Sequence, residues 1–169
     1  MKCLTPTECS EWLRENRIIE SPYSRSREEP KGAHYLQFEP PVKPSHLTAF
    51  TRQLVGVSGE FPGALVVFTD WSLYRPDEMA LVDSLRRGHG EHRWLIDVPG
   101  HLFAPTEGAE AIGHCYLAVM FGWSAYLYLA SGAATVFFWE GDLVDVWSPD
   151  ERLIQAILGI VESYELRVT

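Results

Sequence analysis

Apolar and polar positions alternate along this chain with two different periods, and the switches between them outline its elements. Thr5-Pro6-Thr7-Glu8 reads as a helix start, with Thr5 as N-cap, Pro6 at the first helical position and Glu8 closing a capping box. That helix turns Trp12 and Leu13 inward and ends near Arg17. Residues 20–33, rich in Ser, Pro, Arg and Glu, read as a solvated loop. His34 to Phe38 alternates as a strand. Pro44 opens a second helix, with Leu47, Phe50, Leu54 and Val55 at helical spacing. Ala64 to Thr69 is a continuous apolar run, which suits a strand buried on both faces.

Pro76-Asp77-Glu78 predicts a third helix, with acids at its positive end and Arg86 and Arg87 at its negative end, and Gly88 just past it. Trp94 to Val98 predicts a strand halted by Pro99-Gly100. A fourth helix, capped by Thr106, runs to about Phe121. Three short alternating runs follow: Ser124–Ala130, Thr135–Trp139 and Leu143–Trp147. Their Ser131-Gly132 and Glu140-Gly141 links are hairpin signals. Ser148-Pro149-Asp150-Glu151 reads as a second capping box before a last helix carrying Leu153, Ile157, Ile160, Val161 and Tyr164 on one face.

The resulting order, α-β-α-β-α-β-α-β-β-β-α, predicts an α/β domain bordering on α+β. Early alternation favours parallel pairing, whereas the last three strands must form an antiparallel meander, so the expectation is a mixed sheet flanked by helices. Neither a repeat nor a linker divides the chain, and residues 1–169 read as a single globular domain.

Composition narrows the function classes. At 169 residues, 46% hydrophobic, the chain is long enough for a core without staples. Its net charge of −9 disfavours nucleic acid as partner, since phosphates require clustered Lys and Arg. The basic residues are scattered apart from Arg25, Arg27 and Lys31 and the Arg86-Arg87 pair. Three cysteines, Cys3, Cys9 and Cys115, do not form a disulfide framework, and no apolar leader is visible; both point to the cytoplasm. Residues 111–139 carry no Asp, Glu, Lys or Arg, the one stretch that invites a membrane reading. Internal Gly122, Ser124, Ser131 and Gly132, together with His114, favour a buried helix followed by strands instead.

Candidate chemistry is sparse. His89 and His92 flank Glu91 but lack the further ligands a zinc site requires, so no metal and no cofactor is assigned. Glu110 and His114, four apart, share a helix face, as a carboxylate orienting an imidazole would. Asp70, at the end of a central strand, and Asp97 and His101, after the next strand, are placed to meet at one sheet edge; this is the enzyme-type constellation, of a hydrolase-like kind. Phosphate loop, dinucleotide turn and nucleophile elbow are all missing.

Aromatics carry the remaining signal. Hairpin register places Tyr126, Tyr128, Trp139 and Trp147 on one side of the meander, opposite Leu127, Leu129, Val136, Phe138, Val144 and Val146. An open aromatic face is a protein-docking surface; a covered one is a second core, and the covered form is the more favoured of the two. The leading expectation is a non-enzymatic interaction protein of the bacterial-cytosol type, binding another protein or itself. The small-molecule enzyme is the alternative.

Overall fold

The computed structural model describes residues 1–19, 33–70 and 76–169, with side chains from residue 80 onward in the last stretch. The expected loop over 20–33, the basic residues Arg25, Arg27 and Lys31, and the side chains of Asp77 and Glu78 at the start of the third helix therefore lie outside the described residues, apart from residue 33 itself.

Among the described residues seven strands form one sheet: β1 (Lys2–Leu4), β2 (His34–Phe38), β3 (Ala64–Asp70), β4 (Gly100–Phe103), β5 (Ser124–Leu129), β6 (Thr135–Trp139) and β7 (Leu143–Ser148). Five α-helices of the described residues accompany them: α1 (Pro6–Glu15), α2 (Pro44–Val55), α3 (Pro76–Gly88), α4 (Gly108–Met120) and α5 (Glu151–Ser163). The strand order is β1-β4-β3-β5-β6-β7-β2. Every pairing is antiparallel, which corrects the expected parallel component. The helix-bearing connections in this chain rejoin the sheet in the opposite sense, so alternation of element types does not impose parallel strands here. The C-terminal meander β5-β6-β7 is formed as expected.

The strand expected over 94–98 is a turn, and the strand lies beyond the Pro-Gly step. Asp97 and Val98 both donate backbone N–H to the Trp94 carbonyl, at 3.0 and 3.2 Å. Leu95 and Val98 are buried while Trp94 and Ile96 are exposed. Alternating apolar residues mimic a strand, but turn geometry buries positions three apart instead.

Gly100 then starts β4, tucked between Leu4 and Val67. A Cβ on Gly100 would stand 2.2 Å from the Cys9 Sγ, so only glycine allows α1 to approach this closely. The short edge strand β1 was not visible in the pattern, because three residues are too few to show alternation.

Local signals explain most element ends. Thr5 and Glu8 form the anticipated capping box. At α5 the N-cap is Asp150, whose carboxylate accepts from the Arg152 N–H at 2.9 Å, rather than Ser148. Ser148 is the last residue of β7, and its hydroxyl donates to the Ala133 carbonyl at 2.7 Å, tying that strand to the β5–β6 turn.

Each face of the sheet carries a core. On one side, α2, α4 and α5 cover Phe38, Val66, Phe68, Leu127, Val136, Phe138, Val144 and Val146. On the other, Cys9 and Leu13 of α1 pack with Leu4, Leu65, Tyr126, Tyr128, Phe137 and Trp147. The uncharged stretch divides into α4, β5 and β6, and among the described residues no helix is long and apolar enough to cross a membrane. The outer edge of β2 is partly paired by the C-terminal residues: Phe38 bridges Val168, and Thr169 donates to the Gln37 carbonyl at 3.1 Å. Covering an edge in this way limits uncontrolled strand addition.

Candidate functional sites

One row of residues runs across the sheet on its main-core face: Cys3, His101, Val66, Leu127, Val136, Val146 and Leu36 are successive cross-strand partners. His101 is the only imidazole in that row and is fully buried. Its Nδ1 lies 3.1 Å from the Pro99 carbonyl. A carbonyl only accepts, so in the neutral ring Nδ1 holds the proton and Nε2 is the bare nitrogen.

Facing it from α4 is His114, with ring centroids 5.1 Å apart. Its Nδ1 lies 2.8 Å from the Glu110 carbonyl, which fixes the same tautomer. Phe68 touches both rings, and Phe103 packs against His114 edge to face at 5.0 Å. Burial holds both imidazoles below their usual pKa, His101 strongly so; the other imidazole and Arg86 also push His101 down.

Arg86 reaches the same region from α3 and is 1% exposed. Its partners are weak: Nη2 donates to the Val98 carbonyl at 3.4 Å, and Nη1 stands 4.0 Å from the Asp83 carboxylate, which is itself partly in solvent. Cys3, opposite His101, is within hydrogen-bonding reach of the Arg86 side chain, though burial outweighs this and raises its thiol pKa. Arg86 Nε and Nη1, both imidazole Nε2 atoms and the Trp123 indole nitrogen are buried without a hydrogen-bond partner among the described residues.

The sequence candidates are redistributed. His101 and His114, assigned to different constellations, are brought together. Asp70 and Asp97 are exposed, whereas His101 sits inside β4 and points to the interior, so the strand-end triad is not assembled. Glu110 meets His114 through its backbone carbonyl, and its carboxylate is exposed, so the expected carboxylate–imidazole pair gives way to a backbone contact. His89 and His92 are exposed. Among the described residues no group of three or more His, Cys, Asp or Glu is placed to hold a metal ion. Arg86 stands at the negative end of α3 as the sequence places it, but its burial is not legible there, because a helix-terminal Arg is usually solvated.

The aromatic face of the meander is the covered form at Tyr126, Tyr128 and Trp147, all buried in the second core, while Trp139 is 44% exposed. Tyr126 stacks on Phe137 with centroids 4.3 Å apart. Asp145, fully buried on this face, accepts hydrogen bonds from the Tyr35 hydroxyl at 2.6 Å and the Gln37 amide at 2.7 Å. Among the described residues the most exposed aromatic side chain lies elsewhere: Trp94 is 70% exposed and Ile96 68%, both on the turn before β4.

The chain matches no protein-family model, no curated protein and no solved structure.

Proposed function

We propose that this chain is a non-enzymatic interaction module that docks another protein through the 94–97 turn. The observation that supports it is the exposure of Trp94 and Ile96 on a turn whose intervening Leu95 and following Val98 are locked in the interior. Two large apolar side chains held outward by a buried anchor lose little freedom on binding, and Trp is the residue type most enriched at the energetic centre of interfaces. The partner surface is an apolar pocket on another protein. Three buried thiols suit a reducing cytoplasm as the setting.

The test is site-specific photo-crosslinking in the native host. A benzophenone side chain replacing Trp94 is compared with one replacing the exposed Glu151 on α5, which packs on β2 and β7 at the other end of the strand order from β4. A discrete adduct with a different protein, formed from position 94 alone, supports the proposal. An adduct of two copies of the chain redirects it to self-association. Equal labelling from both positions, or none, overturns it.

A further inference from the structure

A groove opens at the end of the sheet where β1, β4 and the start of β3 meet α1. Its volume is about 430 Å³, the size of a small-molecule site. Leu102 of β4, Trp12 of α1, Pro62, Pro105 and Ala130 line it. Leu102 stands between Lys2 and Leu65 across the strands, so it lies on the second-core face, and Trp12 packs against the same cluster. Gly63 lets the walls approach. Its φ is +89°, and a Cβ there would stand 2.9 Å from the Phe103 carbonyl oxygen and 3.6 Å from Pro105 Cδ.

Charge at the groove is unevenly committed. Glu107, which lines it, holds the terminal ammonium of Met1 with one oxygen and accepts from the Ala104 N–H with the other, at 2.8 Å. That carboxylate has nothing left to offer a cation. Lys2 also lines the groove; it is exposed, and its ammonium makes no ion pair among the described residues. Glu8, which feels the Lys2 charge, is committed to the Thr5 N–H and hydroxyl. Apolar walls with one uncommitted cation match a monoanion with an apolar body. A hydrocarbon would leave Lys2 unused, and an amine would meet it with like charge. A phosphate monoester would bring more charge against apolar walls than one ammonium balances. We propose that this groove binds a small monocarboxylate carrying an apolar ring, with the ring among Trp12, Leu102 and the two prolines and the carboxylate on the Lys2 ammonium. A ring is favoured because Trp and Pro are stiff side chains with flat faces, which lose little freedom when a planar group lies against them. The site is independent of the 94–97 surface, since no residue of that turn lines it.

The direct test follows the Trp12 indole N–H and Leu102 methyl resonances of the intact chain during titration with 4-phenylbutyrate. The matched alcohol, 4-phenylbutanol, and the matched amine, 4-phenylbutylamine, are the comparison. Saturable shifts of both resonances with the acid are expected, with the alcohol about threefold or more weaker, as an exposed ion pair allows, and the amine weaker still. Lys2→Met, which keeps the apolar stem at an exposed position, lowers the acid to the affinity of the alcohol and leaves the alcohol unchanged. Ala130→Leu, which fills part of the groove, weakens every probe. Equal affinity for acid, alcohol and amine, an acid affinity untouched by Lys2→Met, or the absence of a saturable shift at Trp12 and Leu102 overturns the proposal.

Discussion

His101 of β4 and His114 of α4 face each other across the interior with ring centroids 5.1 Å apart, each holding a backbone carbonyl with Nδ1. Burial and surrounding positive charge, from Arg86 on both rings and from His89 and the N-terminal ammonium on His114, both oppose protonating either ring. That relationship gives the protein a characteristic pH response.

Both imidazoles have pKa values below the unfolded value of about 6.5. The unfolded chain therefore binds more protons below that pH, and stability falls as the pH drops. The contribution is complete above about pH 6.5 and erodes through pH 6 and 5, at up to about 1.4 kcal/mol per pH unit for each histidine. Urea midpoints measured from pH 7.5 to 5 check this, and His114→Phe flattens the slope. Glu91, held at about 2 by Arg93, acts in the same direction but only below its ordinary value near 4.5, so the two effects separate on the pH axis.

Gly100→Ala places a methyl group against the Cys9 sulfur and the Leu4 side chain. Overpacking of this kind costs about 1–3 kcal/mol. Adding Cys9→Ala to the same chain recovers part of the loss, and the coupling appears as non-additivity in a double-mutant cycle of chemical denaturation.

The turn before β4 separates docking from folding. Trp94→Ser with Ile96→Ser leaves the denaturation midpoint within about 0.5 kcal/mol of the parent, as surface changes usually do. Leu95→Ala, one position away but buried, costs about 2–5 kcal/mol. Loss of the position-specific contact in the first variant, with its fold intact, is the pattern expected of an interaction surface.

Asp145→Ala removes the acceptor shared by the Tyr35 hydroxyl and the Gln37 amide. Losing hydrogen bonds to a buried charged acceptor costs about 1–3 kcal/mol. Thermal melts detect the loss, and amide exchange along β2, which is paired to β7 at this residue, quickens with it.

Helix starts, the meander and the two faces of the sheet were legible in the chain because each rests on local chemistry. Thr5, Glu8 and Pro6 define α1 regardless of what surrounds them, and the alternation from Tyr126 to Trp147 fixes which side each residue takes. Strand direction was not legible, because it depends on which non-neighbouring strand each segment joins; β3 ends up between β4 and β5 with both antiparallel. Trp94-Leu95-Ile96 misled for a related reason: alternation identifies a strand only where a partner strand exists, and here β4 forms farther along, where Gly100 admits Cys9. The candidate site was legible in part. His101 and His114 stood out as residue types, but their meeting is a tertiary fact, as is the burial of Arg86.

The three thiols occupy different layers of the molecule. Cys3 lies on edge strand β1 beside Arg86, Cys9 is wedged against Gly100 in the second core, and Cys115 is sealed within α4 in the main core. Burial also keeps the Cys3 and Cys115 thiols protonated, so their alkylation waits on opening of the structure around them. Timed alkylation followed by mass spectrometry would thus rank the local opening of the sheet edge, the α1 face and the interior in the unmodified chain, without any introduced label.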